Sequence, residues 1–265
     1  MNINEQLSCP SAEECDAYFS GLPPIERTQR RFAPQALMVA DVLKNGIDTD
    51  NIAEVSKDAP AIIAFSDGVS ERNREAVMLG LEFAETVASQ KADIDKDPYL
   101  WAKEYADAFR YAGWLMVAKD STDYAASNVN VTMDAVVLEL LGAVAGPNAQ
   151  VVIQLMTTVL DKLQKNKPMM ELFERNLKKG ISSKFRLMPC LESSNGTPVT
   201  YLLALQFESS TDSGGALFWK WKVSKLKLKH LARGVNFNQG THDRNKERIL
   251  THLNADADAF FDGLK

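Results

Sequence analysis

Two hydrophobic periods divide the chain. From Ser11 to about Gly180 apolar residues recur at helical spacing, whereas from Lys184 they alternate, so helices are predicted first and strands afterwards. Ser11 with Glu14 is a capping box for a short helix ending near Gly21, and Pro23-Pro24 cannot continue it. A second helix is predicted from Pro34 to Gly46. Between Ser70 and Gln90, Val77, Leu81, Ala84 and Ala88 form one stripe while Glu71, Arg74, Glu75 and Glu82 lie off it. Asp97 suits an N-cap and Pro98 a first helical residue, for a helix expected to reach about Lys119. Met133 to Ala145 and Asn148 to Lys165 read as two very apolar helices joined at Gly146-Pro147. A short helix from Pro168 to Lys179 is closed by Gly180.

The second part reads as strands. Lys184 to Leu191 is followed by a hairpin turn at Ser194-Asn195-Gly196, then by Val199, Tyr201, Leu203, Leu205 and Phe207 on one face. After a turn at Ser213-Gly214-Gly215, Leu217, Trp219, Trp221 and Val223 alternate with Lys220 and Lys222. The alternation slips at Ser224, where a bulge or bend would keep Lys225, Lys227 and Lys229 on the same wet face. A short strand, Val235 to Phe237, leads into a helix from Thr241. The predicted class is α+β: a single domain over 1–265, mainly helical over 1–180, with an antiparallel meander over 184–240 and a terminal helix over 241–263. The apolar hairpin is expected to cover one face of the sheet.

Composition narrows the class without naming a function. The 265 residues are 45% hydrophobic and 25% charged, with a net charge of −5, which excludes a disordered or low-complexity chain. Three cysteines, Cys9, Cys15 and Cys190, make neither a disulfide framework nor a zinc-ligand spacing. The N-terminus carries no basic and apolar leader, so synthesis in a cytoplasm without a signal peptide is expected, with any export by a non-Sec route. Walker A, G-x-G-x-x-G, G-x-S-x-G and H-E-x-x-H patterns are absent from the sequence. His230, His242 and His252 lack ligand spacing, and the last two read as exposed or capping residues of the terminal helix. Asp93, Asp95, Asp97 and Glu104 imitate calcium-loop positions, but Pro98 stands where that loop needs a left-handed residue. No metal or dissociable cofactor is expected.

Charge is unevenly placed. Residues 184–265 carry 12 Lys or Arg against 8 Asp or Glu, so the remainder of the chain is strongly acidic. Lys220, Lys222, Lys225, Lys227, Lys229 and Arg233 form a basic run suited to an anionic membrane surface, where each contributes about 1 kcal/mol. A solvated strand face whose lysines discourage edge pairing is the other reading. Trp219 and Trp221 alternate with the lysines, which favours core packing over base stacking, and nucleic acid is not an expected partner. The hairpin Met133 to Lys165 reads either as core or as a bilayer-inserting element. Cys190 follows Pro189, which has no N–H for a ladder, so its strand is expected to be an edge or bulged. Alternation aligns Cys190 with Lys184, Arg186 and Met188, where basic neighbours would favour a thiolate; a break at Pro189 would instead turn the sulfur inward.

An all-helical first part, a sheet bearing a lone cysteine, the strand Phe218-Trp219-Lys220-Trp221-Lys222, a basic strand and a polar closing helix together resemble the Erwinia virulence factor family. The resemblance covers the layout of the chain and the position of Cys190. It implies a non-enzymatic bacterial protein that promotes persistence in insect guts and carries a fatty acyl thioester on Cys190. A buried acyl chain contributes about 0.8 kcal/mol per CH₂, enough to stabilise a core but marginal as a sole membrane anchor. The expected partners are therefore the acyl chain and membrane lipid. Two other readings stand beside it: a helical-hairpin toxin or effector, and an enzyme using Cys190 as nucleophile.

Overall fold

The computed structural model describes residues 8–23, 52–55, 61–94, 96–116, 122–125, 133–165, 184–207 and 227–253. The helices predicted over 34–46 and 168–179, the strand over 217–223, the bend at Ser224 and the end of the terminal helix lie outside the described residues. Within them the class is α+β.

Local sequence accounts for the helix starts. Helix α1 (Ala12–Ser20) has its capping box closed: Glu14 N donates to Ser11 Oγ at 3.2 Å and Ser11 N to Glu14 Oε2 at 2.6 Å. Helix α3 (Pro98–Tyr111) begins with Leu100 N donating to Asp97 Oδ1 at 2.9 Å. Helix α2 (Glu71–Lys91) buries more than the predicted stripe, since Met78, Leu79 and Phe83 are also enclosed. The sheet and two other helices pack around it, so its buried surface exceeds one helical stripe.

Two expectations for the first 180 residues are corrected. The stretch is not all helical: β1 (Ile52–Val55), β2 (Ala61–Phe65), β3 (Trp114–Met116) and β4 (Thr122–Ala125) interrupt it. Short apolar runs such as Ala61-Ile62-Ile63-Ala64-Phe65 carry no period that separates a buried strand from a helix segment. The helix from Pro98 stops at Tyr111 instead of Lys119, because Gly113 turns the chain at φ +97. A side chain there would meet Asn238 O at 2.9 Å and the His242 backbone N at 3.0 Å, so glycine is required sterically as well.

The sheet is mixed, not a simple antiparallel meander. Its order is β1-β2-β5-β6-β7-β3, with β4 also pairing β7. Strands β5 (Lys184–Glu192), β6 (Pro198–Phe207) and β7 (Lys227–Phe237) are antiparallel neighbours, but β2 joins β5 in parallel with Phe65 opposite Cys190. The Asn-Gly turn forms as predicted: Gly196 has φ +77, and Ser193 N donates to Thr197 O at 2.9 Å. Strand β7 is one piece of eleven residues that includes Val235 to Phe237.

Both sheet faces are covered. Ile63, Phe65, Met188, Cys190, Leu202 and Val235 pack in one cluster with residues of α2, α3 and the closing helix α6 (Gln239–Leu253). On the opposite face lies the apolar hairpin of α4 (Met133–Ala145) and α5 (Ala149–Lys165), which contacts β2, β5, β6 and β7. The hairpin turns through a 3-10 segment, Gly146–Asn148, with Gly146 at φ +53. Tyr201 pins that turn to the sheet: its hydroxyl donates to Ala145 O at 3.3 Å and accepts from Asn148 Nδ2 at 2.8 Å. The predicted single helical layer is thus two layers with the sheet between them.

Candidate functional site around Cys190

Strand β5 is internal, flanked by β2 and β6, so the edge or bulge expected at Pro189 is corrected. Pairing of β5 with β6 lapses at Met188 and Pro189 and resumes at Cys190 opposite Thr200, in the same register as Leu187 opposite Leu203. The missing proline N–H interrupts the ladder without inserting a residue. Thr200 Oγ1 supplies a bond there, lying 3.1 Å from the Pro189 carbonyl oxygen that it donates to.

Cys190 is 1% exposed and faces the α2 and α3 layer. Its Sγ lies 3.1 Å from Thr200 Oγ1 and 3.5 Å from Met188 O. With the Thr200 hydroxyl proton used on Pro189 O, the single thiol proton has two acceptors in reach, Thr200 Oγ1 and Met188 O. The site therefore holds a neutral thiol among neutral hydrogen-bonding groups. Burial pushes the Cys190 thiol up to about 12, with the Thr200 contact only partly opposing it. The basic neighbour does not activate the sulfur. Arg186, two positions along the same face, is committed to Glu85 at 2.6 Å and lies 5.2 Å from the ring centroids of both Trp101 and Tyr105.

Next to this row is a tie that sequence reading missed. Glu192, at the end of β5, accepts through Oε2 from Ser70 N at 2.8 Å, Ser70 Oγ at 2.7 Å and Asn73 Nδ2 at 2.6 Å. Those donors, at the positive end of α2, hold the Glu192 carboxyl below its ordinary range. The tie joins residues over a hundred positions apart, which no local spacing can signal. Beside it, between α5 and the C-terminal ends of β2 and β5, opens a cleft of about 650 Å³ lined in part by Phe65, Asp67, Val151, Lys162, Leu191 and Glu192. Cys190 does not line it.

The predicted membrane-contact residues are only partly placed. Lys220, Lys222 and Lys225 lie outside the described residues. Lys227, Lys229 and Arg233 belong to β7, where Lys229 pairs with Gln206 and Asp123, and Arg233 with Leu202. Since β7 has neighbours on both sides, its lysines do not guard an edge.

The histidine expectation is also corrected. His242 is buried with Nδ1 3.1 Å from Ala112 O, and His252 sets its ring against Phe83, with centroids 5.8 Å apart. The calcium-like positions have other duties: Asp97 caps α3, Lys96 pairs with Asp93 at 3.2 Å, and Lys91 pairs with Glu104 at 2.7 Å. Among the described residues, no group of three or more His, Cys, Asp or Glu gathers to hold a metal ion.

Comparison with known proteins gives only a weak structural similarity. No family model and no curated protein matches the chain. Among solved structures, the chain is similar to one described as "Structure of the Evf virulence factor", at 12% identity, covering 90% of this chain and 89% of that one, with a TM-score of 0.42.

Proposed function

We propose that the protein is a non-enzymatic bacterial virulence or host-persistence factor, S-acylated on Cys190 and active at membrane lipid. The placement of the sulfur carries the reading: Cys190 points into the apolar layer under α2 and α3, where a fatty chain would be shielded from water. The hydrogen bonding tolerates the modification. A thioester removes the S–H, but Thr200 keeps its donation to Pro189 O, and no buried donor is orphaned. In the acylation step the Cys190 sulfur displaces the thiol of an acyl thioester, the S–H proton passing to that departing thiolate. With the thiol neutral and enclosed, the transfer belongs to the chain before α2 and α3 close over the sheet. The basic residues Lys220, Lys222, Lys225, Lys227, Lys229 and Arg233 are the proposed second membrane signal. The chain is proposed to be made in the cytoplasm and exported by a non-Sec route.

Intact-mass measurement on protein from its native host tests this. The expected result is an excess of one fatty acyl chain over the sequence mass, removed by hydroxylamine and absent from Cys190→Ser. An unmodified mass equal to sequence in the native-host protein overturns it.

The hairpin-insertion reading has one observation in its favour. Within residues 134–162 an 18-residue window reaches a mean hydropathy of 1.6, and the stretch has the length to cross a bilayer, with Val151 at 49% and Ile153 at 37% exposure. In this fold, however, Gly146 reverses the chain, and Val136, Val137, Leu141, Met156 and Leu160 are buried. Dye release from anionic liposomes separates the readings: the acylated core predicts little leakage, and insertion predicts much. Against the nucleophile reading, the polar contacts of Cys190 among the described residues are a threonine hydroxyl and a carbonyl, neither of which is a base.

A further inference from the structure

Helix α6 closes the fold through an unusual mixture of groups. Ile249 and Leu253 enter the main apolar cluster, but two histidines enter beside them. His242 lies against Phe237, with ring centroids 5.2 Å apart, and spends Nδ1 on Ala112 O. His252 lies edge-on to Phe83, and its buried Nε2 has no hydrogen-bond partner among the described residues. A neutral imidazole accepts these surroundings. An imidazolium would place a charge beside aromatic carbon at both rings and, at His252, a proton with no acceptor among the described residues.

The charges around the two rings offset burial only in part, Asp243 favouring the His242 imidazolium while Lys246 and Arg72 oppose it. Around His242 stand Arg72 from α2 and Lys246 on α6 itself, both cationic, and Asp243, which already pairs with Arg72 at 3.5 Å and accepts from Gln239 Nε2 at 2.6 Å. Glu75 on α2 faces Lys246 at 3.9 Å. Elsewhere on this side of the fold, Asp16 of α1 is taken by Arg248, and Lys91 of α2 stands 5.6 Å over the Tyr18 ring. Among the described residues, no carboxylate contributes to the His252 environment, where burial is the influence that lowers it.

We propose that α6 is an acid-released clasp: protonation of His242 and His252 detaches the helix and uncovers the aromatic floor of Tyr18, Phe19, Tyr111 and Phe83 beneath it. Burial holds both imidazoles below their ordinary 6.5. The folded state therefore binds fewer protons than the opened state. Their contribution to docking is complete above pH 6.5 and is lost as pH falls toward the depressed folded values. Besides the apolar contacts of Ile249 and Leu253, the ties that hold α6 include Arg248 to Asp16, Arg244 to Pro10 O and Asn245 Nδ2 to Tyr111 O, and opening requires the two histidine protonations to outweigh them together.

Hydrogen exchange of the full chain between pH 7.5 and 5.0, corrected for intrinsic rates, tests the clasp. Linkage predicts that the opening constant of α6 rises by about tenfold per pH unit for each proton taken up. Protection should fall in α6 before it falls in α2, and the slope should vanish in His242→Gln/His252→Phe. Ring titration by NMR on the unmutated protein gives a second readout, with both histidines titrating below 6.5 in step with α6 opening. A pH-independent α6, equal loss across α2 and α6, or a slope that survives in the double variant overturns the proposal.

Discussion

Thiol accessibility puts the Cys190 geometry to a direct test. Of the three cysteines, Cys9 is exposed while Cys15 and Cys190 are buried. The perturbation is unfolding in denaturant, and the quantity is the rate of reaction with a disulfide reagent. At pH 8 a thiol at the ordinary 9.0 is about one-tenth ionised, whereas one raised to about 12 is ionised to about one part in 10⁴. Ionisation alone thus slows Cys190 by about a thousandfold, before any barrier to reagent entry. For protein made without an acyl donor, native labelling should give one prompt thiol, mapped to Cys9, and denatured labelling should give three. Protein from a host that acylates Cys190 should give two in denaturant. Peptide mapping that finds native Cys190 labelled as fast as Cys9 refutes the enclosed, neutral thiol and the inference that acylation precedes closure.

Other substitutions probe the supports of the site. Gly80→Ala would bring a Cβ to 2.6 Å from Trp114 Nε1 and 2.7 Å from its Cδ1, with the Trp114 bond to Ala76 O at stake. The helix gains about 1 kcal/mol of propensity but overpacking costs about 1–3, so net destabilisation is expected in urea unfolding, and a more stable variant contradicts the packing. Glu85→Gln should cost about 3–5 kcal/mol by removing the carboxylate charge that faces the buried Arg186 guanidinium, while Glu85→Leu/Arg186→Met should recover most of it, read from denaturant midpoints. Glu192→Gln should weaken the docking of the β5–β6 turn on α2. The Glu192 carboxyl is lowered, so its contribution is present above the usual carboxylate range and lost as pH falls through the folded value; the variant should show a shallower acid slope below pH 4.5.

The sequence by itself determined the features whose causes are local. Ser11 and Glu14, Asp97 and Pro98, and Asn195-Gly196 satisfy or redirect backbone groups within a few residues, and each produced the start or turn it signals. The period change at Lys184 and the apolar hairpin were legible for the same reason: side-chain periodicity reports local geometry. Only the tertiary structure decided which faces those elements use. Strand β2 was invisible because a five-residue apolar run lacks a period until β5 pairs with it, and that parallel pairing made Pro189 internal. The same contacts enclosed both sheet faces, took Arg186 away from Cys190 and fixed the thiol as neutral. Burial and long-range pairing arise between segments far apart in the chain, so position in sequence identified Cys190 while packing set its chemistry.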